Sequence, residues 1–117
     1  MAYDEKLAHR IRQALAESGG IAEMRMMGGL CFTLHGNMLC GVLKSDLVVR
    51  VGSERYEDLL AQPHARPMDF TGRPIRGFVF VGPGGYRTGR MLRQWLDRAA
   101  EFASSLPEKT KKQRRQI

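Results

Sequence analysis

Apolar residues recur every three or four positions near both ends of the chain, which is the spacing of one face of an α-helix. The first pattern predicts a helix over residues 4–18, which Gly19 and Gly20 end. The second predicts a long helix over 89–105, with Thr88 as its N-cap and Pro107 beyond its end. The predicted core positions of these two helices are Leu7, Ile11, Ala14 and Leu15, and Leu92, Trp95, Leu96, Ala99, Phe102 and Ala103.

Short apolar runs separated by turn residues fill the middle of the chain and predict strands. We expect these strands at about 22–27, 29–35, 38–43, 47–51 and 77–81. Ser53 is suited to cap a short helix over about 54–61, which Gln62-Pro63 would stop.

The dipeptide Gly36-Asn37 predicts a two-residue hairpin turn. Such a turn would pair Leu34 with Leu39, Phe32 with Gly41 and Leu30 with Leu43, so that one face of the hairpin is wholly apolar. A slip of one residue would mix the two faces, so the pattern favours this register.

The order of elements is helix, three to four strands, short helix, one to two strands and long helix. Consecutive strands joined by tight turns indicate an antiparallel sheet, and helices at both ends of the chain indicate a two-layer α+β fold. A chain of 117 residues is expected to form one domain. We place this domain at residues 1–106 and a basic, disordered tail at 107–117.

Composition restricts the class of protein only moderately. Two cysteines, Cys31 and Cys40, are too few for a disulfide framework. The N-terminus lacks the build of a signal peptide, and no apolar run approaches the ~20 residues of a membrane span. We therefore expect a cytoplasmic protein with free thiols.

The net charge of +7 is concentrated at the end of the chain. Residues 107–117 hold five basic residues against one acidic residue, so they carry +4 of that charge, and the rest of the chain is only mildly basic. The tail could give weak, salt-sensitive and sequence-independent affinity for nucleic acid, or it could be a solubilising extension. Its candidate nucleic-acid contacts are Lys109, Lys111, Lys112, Arg114 and Arg115.

Residues 63–74 form the densest concentration of rigid and charged residues, with three prolines, two arginines, a histidine, an aspartate and a glycine. We interpret the segment as an ordered loop in which Phe70 docks into the core. Long ordered loops with charges often serve recognition, so Arg66, Asp69 and Arg73 are candidate partner-binding residues. The alternative is a structural loop in which Arg66 and Asp69 pair with each other.

The turn at Gly82–Gly85 lies between a predicted strand and a predicted helix, as phosphate-binding loops do. The dinucleotide fingerprint fails because Arg87 stands where the third glycine is needed. The P-loop pattern fails because Arg90-Met91 replaces the required Lys-Ser/Thr. We expect a turn whose glycines adopt positive φ.

Cysteines and histidines do not form a recognisable catalytic or metal-binding set. Cys31 and Cys40 are nine residues apart, whereas zinc ligands usually come in close pairs, and neither His35 nor His64 adds a plausible fourth ligand. Cys40 and His35 could approach across the hairpin, but no third residue is placed to orient a nucleophile. Met24, Met26 and Met27 are expected to fill the core, with an adaptable binding surface as the alternative. We therefore predict no catalytic residue, no metal and no cofactor.

Several segments, taken in order, resemble the N-terminal domain of the TfoX/Sxy family of bacterial competence regulators. They are Arg25-Met-Met-Gly-Gly29, Gly36-Asn-Met38, Leu47-Val-Val-Arg-Val51, Glu54-Arg-Tyr-Glu57, Ala65-Arg-Pro-Met-Asp-Phe70, Gly77-Phe-Val-Phe-Val81, and the closing helix with Trp95 and Ser104-Ser-Leu-Pro107. The resemblance covers residues 3–106. Met27 departs from it, since the family usually has an aromatic residue at this position.

This resemblance implies a stand-alone domain of α+β fold, similar to secretion chaperones, with a role in gene regulation through protein partners and no known catalysis or cofactor. We expect a non-enzymatic interaction module whose sheet face, or whose segment 63–74, binds a protein involved in transcription regulation. The alternatives are a nucleic-acid binder acting through the tail, and a small-molecule-binding protein or enzyme using His35, Cys40 or the Gly-rich turn. A homodimer is possible if an apolar strand edge is exposed.

Overall fold

A computed structural model of the chain describes residues 3–26, 28–69 and 74–107. Three helices and six strands make up the described fold, together with a single 3-10 turn at Pro83–Gly85. In chain order they are α1 (Glu5–Ala14), β1 (Ile21–Met26), β2 (Gly29–Leu34), β3 (Asn37–Leu43), β4 (Asp46–Arg50), α2 (Tyr56–Leu60), β5 (Ala65–Asp69), β6 (Pro74–Val81) and α3 (Gly89–Ser104). The strands form one antiparallel sheet in the order β1-β2-β3-β4-β6-β5, which confirms the predicted α+β class.

The two terminal helices begin at side-chain caps. Asp4 accepts hydrogen bonds from the backbone amides of Lys6 and Leu7 at 2.9 and 3.2 Å, and Thr88 accepts one from Met91 at 3.1 Å. Both caps satisfy amides that have no partner within a helix. α1 is shorter than predicted, because the chain turns after Ala14.

The short helix α2 differs from its prediction at the N-terminus. It starts at Tyr56, and the N-cap position is held by Arg55, which makes no capping hydrogen bond with its side chain. The prediction that Ser53 caps this helix is therefore wrong.

The helices pack on one face of the sheet, which we call the helix-covered face. Its core contains Leu7 and Ile11 of α1, Tyr56 and Leu59 of α2, and the predicted α3 stripe from Leu92 to Ala103, of which only Phe102 stays half-buried. The sheet contributes Phe32, Leu39, Cys40, Val42, Leu47, Val49, Val79 and Val81 to this core, and Val51 joins them just after β4. None of the described helices is long and apolar enough to cross a membrane.

The predicted register of the β2–β3 hairpin is wrong. The loop consists of His35 and Gly36, both at positive φ (50° and 85°), and Leu34 pairs with Asn37. Leu39 is then an extra residue opposite the Phe32–Thr33 step, so Phe32 faces Cys40 and Leu30 faces Val42. This β-bulge lets the consecutive residues Leu39 and Cys40 both enter the core, which a regular strand would not allow.

Half of the segment predicted as an ordered loop is a strand. β5 occupies Ala65–Asp69 and pairs with β6 to form the edge of the sheet opposite β1. Pro67 lies within β5, which is compatible with an edge strand because an edge leaves half of the backbone amides without a ladder partner.

Candidate functional site

The second face of the sheet carries apolar side chains that no helix of the described residues covers. We call it the open face. A small cluster of Val48, Met68 and Phe80 lies at its centre, with Met38, Leu43 and Phe78 packed around it. Val48, Met68 and Phe80 are themselves buried, so the apolar surface that remains accessible on this face belongs to its other residues, the exposed Met24 and Met26 and the half-buried Met38, Leu43 and Phe78. Accessible apolar surface gathered on one face marks a candidate interaction site.

The register of the sheet explains how the open face is built. Met24, Cys31, Gly41 and Val48 lie opposite one another on β1 to β4, and Phe80 of β6 continues this row. Residues directly opposite each other share a face, so the row crosses five strands.

Two glycines make the open face concave. A Cβ at Gly29 would lie 2.4 Å from the carbonyl oxygen of Val42, and one at Gly41 would lie 2.7 Å from that of Leu30, so a side chain fits at neither position. The result is a groove of ≈ 170 Å³ whose lining contains no charged residue. Its walls include Met26, Cys31, Met38, Val48, Met68 and Phe78.

The methionines of β1 are exposed and do not fill the core. Met24 and Met26 retain 47% and 42% of their accessible surface. The core interpretation is therefore wrong for these two residues. Four methionines (Met24, Met26, Met38 and Met68) lie on or beside the open face, and the flexible thioether side chain adapts to partners of different shape.

Arg66 stands at the β5 end of the open face. Its guanidinium stacks over the ring of Phe80 at 5.1 Å from the centroid and donates two hydrogen bonds to the carboxylate of Asp46, at 2.5 and 3.2 Å. Pairing of Arg66 with Asp69 was the wrong expectation, since the partner is Asp46 of β4, which lies beyond β6 in the sheet. Half of the Arg66 side chain remains accessible, so it holds β5 in place and also borders the open face.

Of the other candidate residues in segment 63–74, one is exposed and the rest lie outside the described residues. Asp69 is exposed at the end of β5 and makes no ion pair with another described residue. Arg73 and Phe70 lie outside the described residues, as do Met27 and the tail cations Lys109, Lys111, Lys112, Arg114 and Arg115.

The cysteines and histidines are dispersed. Cys31 faces the open face, whereas Cys40 lies in the helix-covered core opposite Phe32. His35 sits in the hairpin turn and packs against Gly20, so the proposed approach of His35 to Cys40 across the hairpin is wrong. Within the described residues, no three His, Cys, Asp or Glu side chains come together as a metal site would require.

Burial affects both thiols in the same direction. It raises the pKa of Cys31, and it raises that of Cys40 further because Cys40 is completely enclosed. A raised pKa keeps a cysteine as the unreactive thiol, which is the opposite of what a nucleophile needs.

The Gly-rich turn uses its glycines for close packing. A Cβ at Gly84 would lie 2.5 Å from the ring of His64, and one at Gly85 would lie 2.4 Å from a methyl group of Val81. Neither glycine has positive φ, so the expected backbone reason is wrong. His64 therefore packs against this turn, and the turn connects β6 to α3.

Sequence reasoning missed Val48, Phe78 and Phe80 as parts of a functional face. The signal was present, because Leu47–Val49 and Phe78–Val81 are apolar at consecutive positions. A strand with one solvent-exposed face alternates apolar and polar residues. A continuous apolar run indicates a strand whose two faces both contact apolar groups.

A protein-family model covers most of the described fold. The family model of the TfoX N-terminal domain matches residues 13–103, which run from the last turn of α1 to the last turn of α3 and include every strand of the sheet. No curated protein and no solved structure matches the chain significantly. Since the match covers most of its length, the chain belongs to the TfoX N-terminal domain family.

Proposed function

We propose that this chain is a non-enzymatic regulatory domain that binds a protein through its open face, as a co-regulator of transcription. The observation that carries the proposal is the concave apolar surface around Met38, Val48 and Phe78. The regulatory context comes from membership of the TfoX N-terminal domain family, whose full regulators control competence for DNA uptake.

The size and chemistry of the groove favour a protein over a small molecule. Sites for drug-sized ligands usually measure about 300–1,000 Å³ and contain a few convergent polar groups. The groove on the open face measures ≈ 170 Å³ and is lined by apolar side chains. We infer that its occupant is an amphipathic helix of the partner, which would cover this face as α1 and α3 cover the other.

The test compares two substitutions of methionine by glutamate. Met38→Glu places a charge in the groove, whereas Met91→Glu places the same charge on the half-buried side of α3, away from the open face. Tagged wild-type protein and both variants are used for affinity purification from the native host, followed by mass spectrometry. We expect a transcription-associated protein to be captured by the wild type and by Met91→Glu, and to be absent with Met38→Glu.

If Met38→Glu captured the same protein as the wild type, the open face would not be the binding surface. A set of captured proteins without any transcription component would remove the regulatory role. Circular dichroism of both variants shows whether each one is folded.

A second candidate is direct contact with nucleic acid, which an arginine cluster on the helix side favours. Arg87 and Arg90 are exposed at the start of α3 and make no ion pair with another described residue. Arg10 of α1 stacks over Tyr86 at 5.7 Å and donates to the backbone oxygen of Arg87 at 3.4 Å. This cluster would add to the cations of the tail in contacting phosphates.

A further inference from the structure

The two edges of the sheet differ in how well they are protected against pairing with another strand. At one edge, β5 contains Pro67, which has no amide hydrogen, and its ladder with β6 is irregular between Pro67 and Asp69. At the other edge, β1 pairs with β2 at six consecutive positions without a bulge or a proline. No described residue outside β2 hydrogen-bonds to the backbone of β1. A regular, uncovered edge is a template for an additional strand.

We propose that β1 of two copies of this chain pair antiparallel about a twofold axis and join their sheets into one. A second copy is the occupant because the sequence of β1, Ile-Ala-Glu-Met-Arg-Met, is complementary to itself. With the axis at Met24, Glu23 lies opposite the partner's Arg25, and Arg25 lies opposite the partner's Glu23. Opposite charges placed across neighbouring strands stabilise the pairing.

The charges select this register over its neighbours. Residues directly opposite each other share a face of the sheet, so the twofold axis must pass through a residue of β1. The alternative registers therefore differ by moving the axis one residue along the strand. An axis at Glu23 would place that carboxylate opposite its own copy, and an axis at Arg25 would do the same with two guanidinium groups. Like charges directly opposite each other destabilise a sheet. Of these three registers, the axis at Met24 is the one that avoids both contacts and pairs opposite charges.

The same register covers the exposed methionines. Met24 meets the partner's Met24, and Met26 meets the partner's Ala22, all on the open face. These two methionines retain 47% and 42% of their surface in the single chain, so pairing removes apolar area from water. On the helix-covered side, Arg12 of α1 donates to both carboxylate oxygens of Glu23 at 2.7 and 3.0 Å. Glu23 is therefore already ordered before it meets the partner.

The experiment measures the dissociation constant of the full chain by sedimentation velocity over a dilution series. We expect the wild type to dimerise reversibly. Arg25→Glu and Glu23→Arg each convert both cross-strand ion pairs into like-charge contacts, and each should raise Kd about tenfold or more. Arg93→Glu makes the same charge change as Arg25→Glu on the exposed side of α3 and should leave Kd unchanged.

Mixing the two β1 variants provides the decisive measurement. A copy with Arg25→Glu presents two acids and a copy with Glu23→Arg presents two bases, so the mixture should form heterodimers with a Kd close to that of the wild type. A wild type that stays monomeric at its highest soluble concentration would overturn the proposal. So would unchanged Kd values for both single variants, or a mixture that associates no better than each variant alone.

Discussion

Cys40 combines complete burial with a titratable group, and this makes it a reporter of folding at high pH. Its thiol lies in the helix-covered core, where burial raises its pKa. The folded chain therefore retains the proton at a pH where the unfolded chain, with a thiol pKa near 9.0, has released it. Because the unfolded state then binds fewer protons than the native state, stability falls as pH rises above that value.

We predict that this thiol makes the free energy of unfolding decline by about 1.4 kcal/mol per pH unit above pH 9.0. Cys40→Ala should reduce the slope by this amount, although it also removes the packing of the sulfur. Urea denaturation at several pH values on either side of 9.0 measures the slope. An unchanged slope in Cys40→Ala would contradict the assigned burial.

Arg66 illustrates what the sequence can indicate for a single residue. Its segment stands out in the sequence because charges and prolines are concentrated there, and Arg66 does border the open face. Its ion-pair partner, Asp46, is 20 positions away and becomes adjacent only when β6 inserts between β4 and β5. No local pattern in the sequence contains that information.

The α3 helix begins at a cap that the sequence identified correctly, and its energetic contribution can be measured. Thr88→Ala removes the side-chain acceptor of the Met91 amide and should lower the free energy of unfolding by about 1 kcal/mol. Ser104→Ala, at the exposed last residue of the same helix, is the matched control and should change stability by less than about 0.5 kcal/mol. Chemical denaturation monitored by circular dichroism measures the free energy of unfolding of both variants. An equal loss of stability in the two variants would exclude a capping role for Thr88.

Elements with a strong hydrophobic period were predicted more accurately than the pairing of the strands. The α3 stripe is clear in the sequence because six apolar residues follow the helical repeat. The β2–β3 register failed because an apolar pattern with period two cannot reveal an extra residue such as Leu39. The strand β5 was missed because Pro67 argues against a strand, although it is acceptable at an edge.

The charge of the whole molecule gives a further prediction that separates the tail from the folded domain. A chain ending at Pro107 lacks the five tail cations, and its terminal carboxylate keeps an acceptor oxygen where the Pro107 carbonyl accepts a hydrogen bond from Asn37 at 2.8 Å. If the tail binds nucleic acid, its removal should reduce the dependence of log Kd on log salt by about 0.7–0.9 for each phosphate that the tail neutralises. Fluorescence anisotropy with a labelled oligonucleotide at several salt concentrations measures this dependence.

A variant of the arginine cluster in the full chain is the counterpart of the shortened chain in that experiment. Arg87→Ala with Arg90→Ala in the full chain should reduce the slope if the helix side takes part. An unchanged slope in both altered proteins would exclude the cations of the tail and of the cluster as the binding surface.

At the scale of the molecule, the family and fold class follow from the sequence, whereas the candidate site does not. The open face combines residues from all six strands, and the apolar runs of β2, β3, β4 and β6 resemble ordinary core in their local sequence. It is a candidate site only because the described helices all pack on the opposite face. That choice depends on the order and connection of the strands, which local periodicity does not encode.

The unequal edges of the sheet also bear on the number of chains that can associate. When both edge strands of a sheet are free to pair, each added copy can bind a further copy, and the assembly grows into a fibre. With Pro67 and an irregular ladder closing the β5 edge, the regular edge at β1 is used up by a single twofold pairing. Growth would then stop at two copies, and Pro67→Val should shift purified protein toward larger, concentration-dependent species in light scattering.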